Sequence, residues 1–442
     1  CSCKSIIDFY GEFMQIKLSR RKTSYHCFEY LLAFALVLNC RSIWMSVPSM
    51  SWFSTGVLVL ATMAVIGCIV CKKRVTVVRL YTGIAVMIVL ILWATLFFGI
   101  HHENASGWIR IVVSLEVLMC FHIFCGNVSE TLSILYKYEN IISIICAVSL
   151  LFWIFGTMLG AVGSTGVIQS NWTGQKGVIA TIKSYYGVYF EAQTVNFLHF
   201  HLMTRNTAIF TEAPMCSFHF CLAFLIELFL KKSPQKNKLI LLIIGVLTTL
   251  ASSGYIIVVG SLFISFLMKQ PRKKVYKLIR FFVVPLLLTV VGIIVIGLVG
   301  NKMQGTSGTT RVDDFIAGYK AWMNYPFFGN GYGNEDSYIQ YMTASVRRNN
   351  NYGFSNSPMQ ILAYGGIYMA MPYVLSIIAS INRFIRHRNW NLLAFEGSFL
   401  FLFTITIVSF QLITMYIFII LFDGLSKSKK CQLKMNRVKQ DI

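Results

Sequence analysis

The sequence predicts an all-α, polytopic membrane protein of about 12 transmembrane helices, with two short hairpins and two large external loops. Three observations carry this expectation. The first is composition: 56% of the 442 residues are hydrophobic and only 13% are charged, against roughly 25% charged in an average soluble domain. So little polar surface cannot coat the two or three cores that a soluble chain of this length would need. The second is a series of apolar runs close to the ~20 residues that span a ~30 Å hydrocarbon layer. The third is the placement of charge, which totals +22 from 39 Lys and Arg against 17 Asp and Glu. The chain is too apolar for a disordered or nucleic-acid-packaging protein, and nucleic acid is not expected as a partner.

The apolar runs lie at 26–46, 52–71, 80–100, 109–125, 141–162, 214–230, 281–300 and 357–380, and two further stretches cover 239–267 and 393–423. Between them stand basic clusters at Lys17, Arg20, Arg21 and Lys22; at Lys72, Lys73, Arg74 and Arg79; and at Lys231, Lys232, Lys236 and Lys238. Others follow at Arg272, Lys273, Lys274, Lys277 and Arg280, at Arg383, Arg386 and Arg388, and from Lys427 to Lys439. Retention of positive charge in the cytoplasm places all of these inside. Both flanks of 239–267 are then inside, so this stretch must go up and return in two arms of about 14 residues, ~21 Å of helix each. Its turn at Ala251-Ser252-Ser253-Gly254 would lie at or below the outer surface. The stretch 393–423 is a second such hairpin, turning near Ser409-Phe410-Gln411. The expected organisation is a cytoplasmic tail over 1–25, spans one to five over 26–162, an external loop over 163–213 and spans six to nine over 214–300. A large external loop over 301–356, spans ten to twelve over 357–425 and a basic cytoplasmic tail over 426–442 complete it. Arg41 falls within the first apolar run on this reading. The cysteines avoid the expected external loops and read as small apolar packers rather than a disulfide framework.

Two external segments far exceed the length of a connection, and long loops in compact proteins commonly carry function. The second is dense in aromatic, amide and glycine residues, from Gly318-Tyr319-Lys320 through Trp322 and Tyr332 to Glu335-Asp336. Aromatic faces among amides suit sugar rings, although interfacial anchoring yields the same composition. External cations are scarce, which makes Arg205, Arg311, Arg347 and Arg348 informative. A guanidinium presents a bidentate fork to phosphate oxygens, so these positions suit a lipid-linked phosphate; snorkelling to lipid headgroups is the structural alternative. No His, Cys, Asp and Glu spacing suggests a metal site, and no cofactor is expected.

Four patches resemble the bacterial O-antigen polymerase/ligase family, the Wzy/WaaL-like integral membrane glycosyltransferases. Arg205 through Phe210-Thr211-Glu212-Ala213-Pro214 resembles the family's arginine followed by a Phe-x-Glu-Pro entry to a span, with Ala213 inserted. Leu247 through Tyr255 resembles its Leu-Thr-x-Ser-Arg-Thr-Gly turn, with Ser252 in place of the arginine. Arg311 followed by Pro326, Gly329 and Gly331 resembles an arginine, a short helix and Pro-x-x-Gly-x-Gly. Ser355-Asn356-Ser357 through Gly366-Ile367 resembles the His-Asn segment, with Ser355 in place of the histidine.

The resemblance implies a metal-independent membrane glycosyltransferase of the bacterial plasma (inner) membrane, multi-pass with both termini cytoplasmic. It implies transfer of a glycan from an undecaprenyl-pyrophosphate-linked oligosaccharide to an acceptor hydroxyl at the outer face, in O-antigen, capsule or exopolysaccharide synthesis. Partners would be the lipid bilayer, a flippase and a chain-length regulator. Charge grows on the departing pyrophosphate, so positioned cations are the main expected catalytic contribution. Arg205 and Arg311 are the candidates, and Glu212, Asp313 and Asp314 are candidate bases. Lys320, Trp322, Tyr332, Arg347, Arg348 and Asn356 are candidate substrate contacts. The missing histidine leans the reading toward a repeat-unit polymerase, with the ligase of the same family as the alternative. A flippase or other secondary transporter is the alternative from another class, although such proteins carry polar residues at the bilayer midplane.

Overall fold

The computed structural model describes residues 23–72, 75–102, 104–126, 128–172, 178–197, 200–268, 306–343 and 352–423. The expected span at 281–300, most of both tails, His199, Arg347 and Arg348 lie outside the described residues. Helix α1 occupies 23–39, followed by α2 (Phe53–Cys71), α3 (Val77–Ile100), α4 (Ala105–Cys120, continued by a wider turn to Cys125) and α5 (Val128–Phe152, continued to Met158). After a segment of strands come α6 (Ala213–Leu225, continued to Leu230), α7 (Lys236–Thr248) and α8 (Ser252–Met268). Helices α9 (Thr306–Asn324), α10 (Ser357–His387), α11 (Trp390–Ile405) and α12 (Leu412–Asp423) complete the described bundle.

Among the described residues, six helices are long and apolar enough to cross a membrane: Pro48–Cys71, Val77–Ile100, Ala105–Cys125, Glu130–Met158, Ala213–Leu230 and Ser357–His387. The apolar helices α8, α11 and α12 are shorter. The two stretches that are long for one span and short for two each break in the middle, at 249–251 and at 406–411. At the first break Leu250 takes a left-handed backbone (φ 52°), which ends α7 within a single turn.

Helix α6 is the centre of the fold. Every residue from Met215 to Ile226 is buried, and it packs against α5, α7, α8 and α11. A helix apolar on all faces belongs where other helices surround it. Helix α3, by contrast, turns Val78, Tyr81, Val89 and Leu92 outward, as a lipid-facing helix does. Pro214 sits in the first turn of α6, where its missing N–H costs nothing, and Glu212 is the residue that precedes the helix.

Two expectations are corrected. The chain is not all-α: the segment 163–213 carries five strands, β1 (Gly166–Ser170), β2 (Ala180–Tyr185), β3 (Tyr189–Glu191), β4 (Thr194–Phe197) and β5 (Phe200–Thr204). The first three form an antiparallel sheet in sequence order and the last two a hairpin. In β2 the buried Ile182 and Ser184 alternate with exposed Thr181 and Lys183, the period-two pattern of a half-buried strand. Composition alone hid that alternation. The fifth helix also starts well before the apolar run at 141, because its charges are neutralised by neighbours. Lys137 pairs with Glu29 at 2.7 Å, and Glu139 pairs with Lys231 and with Lys238.

Backbone contacts gather the helix ends into two groups. Leu412 N–H donates to the Asn39 side chain at 2.7 Å, Asn206 N–H to Thr248 O at 3.1 Å, and Ile43 N–H to Ile209 O at 2.8 Å. The end of α1, the entry to α6 and the breaks of both short hairpins therefore share one end of the bundle. The opposite end holds Glu29, Glu139, Glu227 and the lysines that pair with them.

Candidate active site at the arginine end

Glu212 is the residue around which this end is organised. Burial raises its carboxyl pKa, while Arg41, Trp172, Arg205 and Arg311 all act in the opposite direction. Three arginines from three distant parts of the chain thus converge on one carboxylate. Among the described residues none of them closes an ion pair within 4 Å of it.

Arg205 follows β5 and is buried. Its Nε donates to Thr249 O at 2.7 Å, and an Nη donates to the Gln193 side-chain oxygen at 3.1 Å. The same Gln193 oxygen accepts from the Ala213 N–H at 3.1 Å. One amide thereby ties Arg205 to the first turn of α6, and the 249–251 break supplies the second anchor. Arg311 lies in α9, and an Nη donates to Ile405 O at 2.9 Å, the last carbonyl of α11. Arg205 and Arg311 are therefore each seated on the break of one short hairpin. A carbonyl freed where a helix ends is an available acceptor, which explains why broken helices serve as arginine mounts. Burial lowers the pKa of both guanidinium groups, and nearby carboxylates oppose it: Glu212 for Arg205, Asp314 and Glu212 for Arg311. Guanidinium remains protonated in proteins throughout such shifts.

Asp313 and Asp314 are engaged in holding the loop. The Thr343 N–H and hydroxyl donate to Asp313, the closest at 3.1 Å. The Ser355 N–H and hydroxyl donate to Asp314 at 3.0 and 2.7 Å. Ser355, which stands where the family often has histidine, thus binds the carboxylate beside Arg311. Asn356 caps α10 by accepting from the Met359 N–H at 3.1 Å, a standard use of Asn at that position. Trp322 donates its indole N–H to Pro326 O at 3.0 Å. Tyr332 packs edge-on against Tyr364 and Phe410. Lys320 is exposed on α9.

The glycine motif explains how the second loop is held. Asn330 and Gly331 N–H groups donate to Ala363 O and Tyr364 O, both at 2.9 Å; Ile367 and Tyr368 N–H groups donate to Pro326 O and Phe327 O, also at 2.9 Å. The Pro-x-x-Gly-x-Gly patch and the Gly366-Ile367 patch are two halves of one backbone joint, at which α10 is interrupted. Gly329 (φ 66°) and Gly366 (φ 57°) are required there: a Cβ on Gly329 would lie 2.4 Å from Gly365 N, and one on Gly366 would lie 2.5 Å from Pro326 O. Only glycine combines that conformation with such close backbone approach.

Sequence reasoning missed Arg41 and Gln193. Arg41 lies two residues beyond α1, with a left-handed backbone (φ 58°), and not inside a span. Its available signal was an arginine close to the end of an apolar run. His219 is structural: it meets the Tyr138 hydroxyl at 2.6 Å and Cys40 O at 2.9 Å, and it stacks on Phe210.

Fold and site together define a multi-pass helical membrane protein with an arginine-rich centre at one end of its bundle. Residues 239–373 match the model of the family Wzy_C, described as O-Antigen ligase, and this match supports the Wzy/WaaL-like family of membrane glycosyltransferases. The matched stretch contains both arms of the first short hairpin, Arg311, the glycine joint and Ser355-Asn356; Arg205 and Glu212 precede it. No curated protein and no solved structure matches the chain.

Proposed function

We propose that the protein is a polymerase of lipid-pyrophosphate-linked oligosaccharide repeat units, working where the arginine end meets the outer face of the plasma membrane. The observation that carries the reading is the approach of Arg205 and Arg311 to half-buried Glu212, each arginine mounted on a helix break. Guanidinium groups in a buried site interact with phosphate oxygens far more strongly than in water, and two of them can share the charge of a pyrophosphate.

The transfer forms one bond and breaks one. The acceptor hydroxyl oxygen attacks the anomeric carbon of the donor glycan, and the anomeric C–O bond to the pyrophosphate breaks. The electron pair leaves with the pyrophosphate, beside Arg205 and Arg311. The hydroxyl proton passes to Glu212, whose raised pKa suits a base working near neutral pH. The Asp313 and Asp314 oxygens already accept from Thr343 and Ser355, so Glu212 is the better-placed base. Sugar rings would lie against Tyr332 and Trp322 in the loop above, with exposed Lys320 on α9 beside them.

The ligase reading differs in the acceptor, and the description of the matched family favours it. Deletion and complementation in the source bacterium separate the two. Loss of a polymerase leaves a single repeat unit attached to its final acceptor. Loss of a ligase leaves full-length polymer on the lipid carrier. Loss of a flippase, the transport reading, leaves repeat units on the cytoplasmic side. The polymerase reading requires the first pattern, and either of the others contradicts it.

A further inference from the structure

Arg41 is placed with unusual care for a side chain with no hydrogen-bonding role of its own in the fold. Its backbone is pinned to the entry of α6: Thr211 N–H donates to Arg41 O at 3.1 Å, Ile43 N–H donates to Ile209 O at 2.8 Å, and Ser42 bridges Phe210. These bonds set Arg41 beside the residue preceding Glu212. The strand segment then supplies a platform. The Ser46 and Ser170 hydroxyls meet at 2.7 Å and Asn171 N–H donates to Ser46 O at 2.9 Å, which brings Trp172 over the Arg41 guanidinium at 3.9 Å from the ring centroid. Trp172 also lies close enough to Glu212 to oppose the rise in its carboxyl pKa. A guanidinium lying on an aromatic face has its plane fixed, while its N–H edges stay available to a planar or forked anion. Those edges are unused: among the described residues the Arg41 side chain donates no hydrogen bond, and its buried Nε has no partner. A buried donor left unpaired is costly, and so is a left-handed conformation at a residue with a side chain. Both costs fall on one residue, in direct range of Glu212.

We propose that Arg41 is a third anion-binding residue of this centre, held ready on Trp172 to donate to a diphosphate that Arg205 and Arg311 also engage. The proposal rests on the function proposed above. It gives the strand segment a task, namely to present Trp172, and it links the end of α1 to the chemistry. On this proposal a ligand with two phosphates engages all three arginines, whereas a single phosphate does not need the third.

The test uses the full-length protein in lipid nanodiscs and titrates inorganic pyrophosphate, with orthophosphate in parallel. Arg41→Gly is the decisive variant, because glycine suits the left-handed backbone and a purely structural arginine would leave anion affinity unmoved. We expect Arg41→Gly to retain the wild-type Tm or exceed it. We also expect it to bind pyrophosphate about tenfold or more weakly, with orthophosphate affinity changed less than twofold. Trp172→Leu should weaken pyrophosphate by a smaller factor, and Arg41→Lys should recover part of the loss. Arg311→Ala serves as the reference. If Arg311→Ala loses pyrophosphate and Arg41→Gly binds like wild type, the proposal for Arg41 is overturned while the functional reading stands. If wild-type protein does not bind pyrophosphate, or if Arg311→Ala also binds unchanged, both fail.

Discussion

At one end of the bundle, Lys137, Lys231 and Lys238 meet Glu29, Glu139 and Glu227. At the other, Arg41, Arg205 and Arg311 surround Glu212. The lysine end is closed: Lys137–Glu29 stands at 2.7 Å, Lys238–Glu139 at 3.3 Å, and Lys231 bridges Glu139 and Glu227. Its three cations and three anions are joined directly, and the Gln235 N–H and the Asn140 side chain complete the arrangement. The arginine end is open. Its guanidinium groups are fastened to carbonyls, an amide and an indole face, and the carboxylate they share is approached but not bonded. An ammonium acts as a compact point charge toward its carboxylates, and a planar guanidinium fork also matches phosphate oxygens bidentately. A buried ion pair made once and kept is structural; buried cations mounted on neutral acceptors are set for an incoming anion.

Substitutions at the two ends should therefore separate turnover from stability. The largest loss of turnover is expected for Glu212→Gln, about 10²–10⁴-fold if the carboxylate takes the acceptor proton. Burial raises the Glu212 pKa, so the basic form is lost as pH falls at a pH above the ordinary glutamate range. The acid limb of the wild-type rate profile should lie there and flatten in Glu212→Gln, which a pH series on the purified enzyme reads. Arg311→Ala should cost about 10²–10³-fold, the scale on which removal of one charge-stabilising donor slows a reaction. The protein should still insert, as membrane fractionation would show. Normal long-chain polymer in that variant breaks the comparison.

Gly329→Ala should have an intermediate effect. It forces a side chain into a left-handed backbone against Gly365, at about 1–3 kcal/mol of strain, and loosens the joint that holds the second loop. A fall in Tm of the purified protein together with a partial loss of turnover is the expected signature. Glu139→Gln should have the smallest effect on turnover and a large one on stability. Removal of one member of a buried ionic group costs about 3–5 kcal/mol, so less protein accumulates, while the rate per folded molecule stays within twofold.

The proposed site residues Arg205, Arg311 and Glu212 stood out in the sequence because external charge is rare once basic clusters are expected on the cytoplasmic side. The breaks at 249–251 and 406–411 fall at or beside the turns expected for the two short hairpins, because each stretch is long for one span and short for two. Arg41 was hidden in an apolar run that ends seven residues later than the helix it encodes. Helix ends are set by local contacts, here the bridge of Ser42 to Phe210, which periodicity does not report. The strands were hidden because composition over 163–213 obscured the alternation in Ala180–Tyr185. The roles of Asp313 and Asp314 could not be read either: a pair of acids at the start of a helix looks alike whether it takes a proton or holds Thr343 and Ser355.

The most direct test compares the two ends in one assay. Elongation of a lipid-pyrophosphate-linked repeat unit is followed with purified protein in nanodiscs, and rates are normalised to folded protein. Arg205→Ala should form little or no product ladder, and Glu139→Gln should elongate at the wild-type rate. A wild-type ladder from Arg205→Ala would contradict the assignment of the arginine end as the transfer centre.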